Sequence, residues 1–334
     1  MKQATREAFG ATLAQLAAQD RNIVVLDADL APATKTGETR KTAPQQFLQA
    51  GIAEANMTGI AAGLAVSGLK PFASSFAMFL AGRAYEQIRN SIAYPHLNVK
   101  LCATHAGITV GEDGGSHQCL EDISLMRVLP GMMVLQPADG PETAAMVKWL
   151  AQQEGPAYLR LSRAAVEQVY DREPVFDPKA VPMLRPGQRI AFVASGVMVR
   201  ECLEAADRLA EQGIEAAVYD LPVIKPLSTD RLNDIIAAYD RVYVAEEHLK
   251  AGGIASAIRE EVLEPGKVKS IAIEDRFGQS GSVQDLMEEY GLSASRIVRR
   301  VLADEAAGEG KTPAARITIA VPTAGARVQT GSIG

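Results

Sequence analysis

Short runs of apolar and β-branched residues alternate with helical patterns along most of this 334-residue chain. Such alternation predicts mainly parallel sheets with helices on both faces, because parallel strands are joined by helical crossovers. The predicted strands are 23–29, 70–75, 98–105, 132–137 and 157–162 in the first half, and 189–195, 214–221, 241–247 and 268–274 in the second. Helical patterns cover 51–67, 80–93, 140–153, 198–212, 230–239, 252–263, 283–290 and 293–303. The predicted fold class is α/β.

A proline-rich segment separates the two halves. Four prolines recur at every fourth position, which neither a helix nor a central strand tolerates: Pro174, Pro178, Pro182 and Pro186. We therefore expect two domains, at 1–168 and 189–304, joined by a linker at 169–188. The Ala/Gly/Thr-rich residues 305–334 are expected to form a flexible tail, in which RITIAVP (316–322) could add a strand to a partner's sheet.

Composition and charge exclude several classes of protein. The net charge is −6 without any basic run, so binding to nucleic acid by bulk electrostatics is not expected. Three cysteines without a CxxC pair favour a reducing compartment over a disulfide framework or a zinc site. The N-terminal segment is predicted to be an amphipathic helix rather than a signal peptide, and no apolar run approaches the roughly 18 residues that span a bilayer. We expect a cytoplasmic protein.

One glutamate stands apart from all other charges. Glu54 is the only charged residue between Lys41 and Lys70, in the helical stretch GIAEANMTGIAAGLAVSG, and no Lys or Arg occupies a neighbouring position on that helix. Glu54 could lie in the first helical turn, interact with the helix dipole and reach solvent. Alternatively, it is a buried carboxylate kept for chemistry, since unpaired buried carboxylates are costly and tend to be functional.

A second candidate site is the loop THAGITVGEDGGSHQ, which follows the predicted strand 98–105. His105 and His117, two of the four histidines, flank the acidic pair Glu112–Asp113 in this glycine-rich segment. Ligands of open α/β sheets bind at the carboxyl ends of the strands, where His and Asp can transfer protons and recognise hydroxyl groups. The alternative is an ordinary polar loop whose acidic residues cap the next helix.

Two phenylalanines and two arginines are further candidates. Phe76 and Phe79 stand three positions apart at a strand-to-helix junction, where such a pair is either core or a platform for a cofactor. Arg163 follows the last strand of the first domain and Arg6 opens the first helix. Each arginine is either a surface charge or a ligand for a phosphate group.

Together these segments resemble a known family. GIAEANMTGIAAGLAVSG, SSFAMF, THAGITVGEDGGSHQ and the closing LSR are similar, in order and spacing, to the pyrimidine-binding domain of transketolase across about residues 1–165. The second half resembles the transketolase C-terminal domain, so the likeness covers roughly residues 1–305. The resemblance implies two α/β domains and a thiamine diphosphate (ThDP)-dependent ketol transfer, in which a two-carbon unit passes from a ketose to an aldose.

The resemblance also implies roles for the candidate residues. Toward the cofactor, Glu54 would hydrogen-bond N1′ of the aminopyrimidine ring, Phe79 would stack on that ring with Phe76 beside it, and Asp29 matches an aspartate near the cofactor. Toward the substrate, the implied residues are His105 and His117 for proton transfer, Asp113 for a sugar hydroxyl group, and Arg163 and Arg6 for a sugar phosphate.

Two positions depart from the family pattern. Transketolase usually has Ser after ADLxP, where this chain has Ala33; that change removes one phosphate ligand unless Thr34 replaces it. The usual GEDGPTHQ is here GEDGGSHQ, and Gly115 is expected to loosen the loop while keeping His117 in register. Both changes concern the identity of the substrate, and whether it is phosphorylated, more than the reaction type.

The motif GDG…N of the family's diphosphate-binding domain is missing from the sequence. The resemblance therefore implies the C-terminal half of transketolase as a separate subunit, with an N-terminal diphosphate-binding partner, an α2β2 assembly, and Mg²⁺ held mainly by that partner.

Other functions stay open at this point. A 2-oxoacid dehydrogenase β-subunit or a 1-deoxyxylulose-phosphate synthase-like chain shares the glutamate and the order of the two domains. The GEDGGSHQ loop favours transketolase, because a 2-oxoacid offers no hydroxyl group for Asp113 to recognise. A non-catalytic paralogue that only regulates its partner is disfavoured, since Glu54, His105, Asp113 and His117 are all present.

Overall fold

The computed structural model describes residues 2–309. The strands in this range are β1 (Lys2–Ala4), β2 (Ile23–Asp27), β3 (Phe47–Gln49), β4 (Lys70–Phe76), β5 (Lys100–Thr104), β6 (Met133–Leu135), β7 (Ala157–Arg160), β8 (Ala165–Glu167), β9 (Met183–Arg185), β10 (Ile190–Ala194), β11 (Ala216–Asp220), β12 (Val223–Lys225), β13 (Arg241–Leu249) and β14 (Val268–Ile273). The α-helices are α1 (Thr5–Gln19), α2 (Ala31–Thr34), α3 (Gly37–Thr42), α4 (Glu54–Val66), α5 (Tyr85–Gln87), α6 (Asp122–Arg127), α7 (Gly140–Leu150), α8 (Met198–Ala210), α9 (Thr229–Ala238), α10 (Ile254–Glu261), α11 (Val283–Glu289) and α12 (Ala294–Glu309). The chain divides into a large unit that ends at Val298, which contains both main sheets, and a second unit that begins at Arg299.

The first main sheet carries the candidate site. Its seven strands lie in the order β12-β6-β7-β5-β4-β2-β3, and all of them are parallel except β12. Strand β12 comes from the second half of the chain and pairs antiparallel with β6, with Val223 opposite Leu135. The second half therefore completes an edge of the first sheet.

The second main sheet has five strands in the order β14-β13-β10-β11-β9. Strands β10, β11, β13 and β14 are parallel, and β9 adds to the edge in the antiparallel direction. Strand β9 lies inside the predicted proline-rich linker at 169–188. An edge position explains this, because prolines are tolerated beside an edge strand but not within a central one. The α/β class with mainly parallel sheets is confirmed.

All nine predicted strands are present, and each of their ends agrees with the structure to within two residues. The predicted helix 80–93 is less regular, since π-helical turns at Met78–Arg83 and Ile88–Ala93 flank α5. Helix α12 reaches Glu309 and thus includes the first residues of the predicted tail. The possible strand at 316–322 lies outside the described residues. No helix within residues 2–309 is long and apolar enough to cross a membrane.

A buried arginine joins the two halves. Arg160, at the end of β7, donates from Nε to Asp122 Oδ2 (2.8 Å) and from Nη2 to the carbonyl oxygen of Glu247 on β13 (3.0 Å). Tyr158 on the same strand donates its hydroxyl to the same Asp122 oxygen at 2.9 Å. Because an ion pair buried on both sides leaves an uncompensated charge when one partner is removed, losing either Arg160 or Asp122 costs about 3–5 kcal/mol.

A cluster of buried acidic groups forms a second contact between the halves. Asp220 on β11 accepts a hydrogen bond from the Tyr170 hydroxyl (2.8 Å), and its carboxyl group also bonds that of Glu142 on α7. Burial raises the pKa of Asp220 to about 7, and burial together with the nearby Asp220 raises the pKa of Glu142. The pair therefore shares a proton at neutral pH, which lets two adjacent carboxyl groups remain buried.

We expect Asp220→Asn to weaken the pH dependence of stability. A folded-state pKa near 7, against an ordinary value near 4, means that the folded chain holds a proton that the unfolded chain releases; stability therefore falls as pH rises from about 4 to 7. The amide keeps an acceptor for Tyr170 without ionising. Thermal unfolding is measured at pH 5 and pH 7.5. Between these values, the midpoint temperature should fall by at least about 2 °C less in the variant than in the wild type. The exposed Asp171→Asn serves as control, and equal losses in all three proteins would contradict the shared proton.

Candidate active site

Four neighbouring strands of the seven-stranded sheet deliver the candidate residues to one edge. Phe76 ends β4, His105 follows β5, Arg163 lies three positions after β7, and Asp29 lies two positions after β2. Since β7, β5, β4 and β2 are adjacent and parallel, their carboxyl ends meet at the same edge. The parallel topology alone therefore accounts for the convergence of segments that are far apart in sequence.

The phenylalanines and histidines form one aromatic cluster. The rings of Phe76 and His105 stack with centroids 3.6 Å apart, and Phe76 and Phe79 stack at 5.8 Å. His117 meets the ring of Phe79 edge-on at 5.3 Å. The structure thus brings together four of the residues that the sequence singled out. Phe76 is buried, whereas Phe79 and His117 are partly exposed, so the open part of the cluster consists of the latter two rings.

His105 is held as a neutral ring in a strained backbone conformation. Its φ of 57° lies in the left-handed region, which is rare for residues other than glycine. Arg6 Nη1 lies 3.3 Å from His105 Nε2, and Thr104 Oγ1 lies 2.9 Å from Nδ1. Because an arginine only donates, Nε2 accepts and Nδ1 carries the proton. Burial, then Arg6 and Arg163, lower the pKa of His105 to about 3.

The two arginines lie on the His105 side of the cluster. Besides its contact with His105, Arg6 donates from Nη1 to the carbonyl oxygen of Ala33 (2.8 Å), while its Nε is buried without a partner. Arg163 donates from Nη1 to the carbonyl oxygen of Val110 (2.5 Å) and pairs with Glu112 at 3.1 Å. The positive charges of both guanidinium groups lower the pKa of His105, so two cations converge beside its ring. The Nε of Arg6 remains as a donor without a partner.

The loop that carries Asp113 and His117 is tied down by the second half of the chain. Ser280 donates its hydroxyl to the carbonyl oxygen of Glu112 (2.7 Å), and Gln118 Nε2 donates to the carbonyl oxygen of Gln279 (2.9 Å). A Cβ at Gly115 would lie 2.6 Å from the carbonyl oxygen of Gly278. The expectation that Gly115 loosens the loop is therefore wrong, because the missing side chain allows segment 278–280 to pack against it.

The start of the same loop is fixed by a buried carboxylate. Glu247 on β13 accepts the backbone N–H of Thr109 at 2.5 Å, and burial raises the pKa of Glu247 to about 7. Gly107 has a φ of 81°, and a Cβ there would lie 2.2 Å from the Glu247 carboxyl carbon. Only a glycine at this position permits both the turn and the contact.

The segment after β2 contains Asp29 and Thr34, which were expected near the cofactor and the substrate phosphate. Thr34 is buried and donates its hydroxyl to Asp27 Oδ2 at 2.7 Å, so the suggestion that it replaces the missing serine hydroxyl beside Ala33 is wrong. Asp29 is exposed, with a φ of 65°, and its backbone N–H donates to Gln49 Oε1 at 2.7 Å. Among residues 2–309, no side-chain hydrogen bond or ion pair joins Asp29 to the aromatic cluster.

Glu54 is buried but not isolated. It is the first residue of α4, its side chain is only 1% exposed, and Arg83 Nη1 lies 2.7 Å from its Oε2. Ser75, on β4, donates to Oε1 at 3.3 Å. The interpretation of Glu54 as a buried carboxylate is correct, whereas the inferred absence of a cationic neighbour is wrong. Helical spacing could not detect Arg83, because it lies 29 positions from Glu54 in the sequence. The one sequence feature that pointed to Arg83 was its position four residues after Phe79.

The surroundings of Glu54 suit a planar group that donates hydrogen bonds. The guanidinium carbon of Arg83 lies 5.1 Å from the centroid of the Phe79 ring, so Arg83 is both bonded to Glu54 and placed over that ring. A guanidinium group is flat and carries N–H donors on its edge, as does a protonated aminopyrimidine. The residues present therefore fit the pyrimidine end of thiamine diphosphate.

Comparisons with known proteins agree with this geometry. The family model described as "Transketolase, pyrimidine binding domain" matches residues 1–168, and the one described as "Transketolase, C-terminal domain" matches residues 179–297. The chain belongs to the transketolase family. Both domains of this transketolase-family chain contribute to the site, since the second fixes the loop of the first.

Several members of the family are similar over nearly their whole length. A putative transketolase C-terminal section from Methanocaldococcus jannaschii is 42% identical, over 89% of this chain and 95% of that protein. A 6-deoxy-6-sulfo-D-fructose transketolase subunit from a Clostridium species is 36% identical, over 88% and 92%. A solved structure of a split-gene transketolase, described as an inactive β4 tetramer, superimposes with a TM-score of 0.83 at 45% identity, over 90% and 97%.

We expect Gly115→Ala to destabilise the chain by about 1–3 kcal/mol, the usual cost of forcing a methyl group into a packed contact. The added Cβ would push the Gly278 carbonyl away and weaken the bonds between segments 112–118 and 278–280. Chemical denaturation of the purified chain measures the change. Gly266→Ala is the matched control, because a Cβ there meets nothing within 4 Å. Equal stability of the two variants would show that Gly115 does not bear on this contact.

Proposed function

We propose that this chain is the C-terminal subunit of a two-subunit, thiamine diphosphate-dependent transketolase that transfers a two-carbon ketol unit from a ketose to an aldose. The observation that carries the proposal is the buried Glu54 carboxylate, which Arg83 links to the partly exposed ring of Phe79. A carboxyl group that can share a proton with a ring nitrogen, beside an aromatic face, is what the pyrimidine end of this cofactor requires.

When bound, thiamine diphosphate supplies the electron sink for breaking and forming a carbon–carbon bond next to a carbonyl group. Glu54 would hold the pyrimidine ring by a hydrogen bond at N1′, and Phe79 would cover one face of that ring, with Phe76 behind it. Ser75 orients the carboxyl group through its bond to Oε1. These groups act by positioning the cofactor and by sharing a proton with it.

His105, His117 and Asp113 are the candidate groups for the substrate. His105 stays neutral near pH 7, because its pKa is lowered to about 3. It therefore acts as an oriented, uncharged ring rather than as an acid. His117 is partly exposed and has Ser116 Oγ at 3.0 Å from its Nδ1, which leaves Nε2 for proton transfer. Asp113 is exposed on the same loop and can accept a hydrogen bond from a sugar hydroxyl group.

Arg6 and Arg163 are the candidate ligands for the anionic end of a sugar. Their charges converge beside His105, and Arg6 has a buried donor without a partner. Guanidinium groups bind phosphate and sulfonate oxygens alike. The similarity to a 6-deoxy-6-sulfo-D-fructose transketolase subunit makes a sulfonated ketose a candidate alongside the phosphorylated ketoses. With Ala33 in place of serine, the anion would depend on these two arginines.

The partner in this proposal is an N-terminal diphosphate-binding subunit in an α2β2 assembly, with Mg²⁺ held mainly by that partner. Within residues 2–309, no group of three or more His, Cys, Asp or Glu side chains is arranged to hold a metal ion. Mg²⁺ usually binds through one or two carboxylates together with phosphate oxygens, and in this proposal the partner supplies those carboxylates. The similar β4 tetramer is described as inactive, which is compatible with a missing partner.

The test measures triose-phosphate release from xylulose 5-phosphate, with ThDP and Mg²⁺, by the chain alone and by the chain with a candidate diphosphate-binding subunit. We expect release only from the mixture, with acceleration by ribose 5-phosphate as acceptor. Release by the chain alone would contradict the shared site. If a complex that binds ThDP releases nothing, sulfonated ketoses are assayed next; failure with every ketose would refute ketol transfer.

In the active mixture, Glu54→Ala should lower turnover by about 100-fold or more, the size typical of a lost proton-transfer group. Glu86→Gln is the matched control, because Glu86 is exposed and its side chain bonds Gln87 and Asn90. Unchanged turnover in the Glu54 variant would refute its role at N1′.

A further inference from the structure

Glu54 cannot reach a ligand in the arrangement that the chain adopts. Its side chain is 1% exposed, although a hydrogen bond to N1′ of a cofactor needs a free approach to a carboxylate oxygen. Two side chains donate to that carboxylate: Ser75 at 3.3 Å and Arg83 at 2.7 Å. Whatever covers the oxygen must move before a ring nitrogen can take its place.

Arg83 is the covering group that can move. Ser75 is buried near the end of β4, where its backbone pairs with Ala103 of β5. The side chain of Arg83 is instead 52% exposed and extends from the π-helical turn Met78–Arg83. A long side chain with half of its surface in solvent can change rotamer without disturbing the core.

Arg83 also occupies the place expected for the pyrimidine ring. It bonds Glu54 Oε2 and lies over the Phe79 ring, with the guanidinium carbon 5.1 Å from the ring centroid. These are the two contacts that the proposed function assigns to the aminopyrimidine. The Arg83 guanidinium group and the pyrimidine ring therefore cannot bond the same oxygen of Glu54 and cover the same face of the Phe79 ring at the same time.

We infer that Arg83 is an internal competitor of the cofactor: it covers Glu54 until the pyrimidine ring displaces it. Arg83 is thus a positioning residue that acts through Glu54. This inference rests on the proposed function, because it takes Glu54 and Phe79 as the binding groups for the pyrimidine. It adds a step in which the Arg83 side chain leaves Glu54 on binding of the cofactor and returns on its release.

The test measures the dissociation constant of ThDP for the assembled two-subunit complex, in Mg²⁺, by calorimetric titration. Removing a competitor tightens binding, so Arg83→Met should lower the dissociation constant about fivefold, which corresponds to about 1 kcal/mol at 1.4 kcal/mol per tenfold change. Arg89→Met is the matched control, since Arg89 is an exposed arginine of the next π-helical turn whose Nη1 donates to Asn90. It should leave the constant unchanged.

Glu54→Gln separates this inference from the proposed function. The amide pairs only weakly with Arg83, so adding Arg83→Met to the Glu54→Gln protein should tighten binding by less than twofold; a purely structural effect of Arg83 would persist in that background. Unchanged or weaker ThDP binding by the single Arg83 variant would overturn the inference. If Glu54→Gln itself leaves ThDP binding and turnover at the wild-type level, the proposed site is refuted instead.

Discussion

The candidate site depends on the hydrogen bonds of one buried guanidinium group, that of Arg160. It bonds Asp122 at the start of α6 and the carbonyl oxygen of Glu247, so the first sheet, the end of the site loop and the second sheet meet at one side chain. The side chain of that same Glu247 accepts the N–H of Thr109 and thereby fixes the loop near its other end. The loop with Asp113 and His117 therefore owes its position to contacts outside the candidate site.

This arrangement gives the second half of the chain a role in the site. Residues 278–280 pack against the loop at Gly115, and β12 completes an edge of the first sheet. Side chains on a sheet that is supported by a second domain hold their positions more accurately than side chains on an unsupported loop. The two halves accordingly belong to one compact unit, which ends at Val298.

Much of this architecture could be predicted from the sequence, for a physical reason. Buried parallel strands are continuous apolar runs, and their carboxyl ends must lie at one edge; the positions of Phe76, His105 and Arg163 followed from those two facts. The three-residue strands β9 and β12 show no periodicity and were missed. Their pairing depends on a neighbouring strand's open edge, which local sequence does not encode.

The errors in the predicted site share one cause. Helical spacing reports only neighbours within about four positions, so it found no cation near Glu54, although Arg83 lies against it across 29 positions. Likewise, the fit of Gly115 against Gly278 and the burial of the Thr34 hydroxyl depend on tertiary packing. Residue type and strand position identified the candidates, whereas their partners required the three-dimensional structure.

In the proposed function, Glu54 and Phe79 form the pyrimidine half of a cofactor site shared with another subunit. A crystal structure of the chain with its diphosphate-binding partner, thiamine diphosphate and Mg²⁺ tests it most directly. We expect N1′ of the pyrimidine within hydrogen-bond distance of a Glu54 carboxylate oxygen, and the pyrimidine ring stacked on Phe79. A cofactor seated away from Glu54, or one enclosed entirely by the partner, would contradict it.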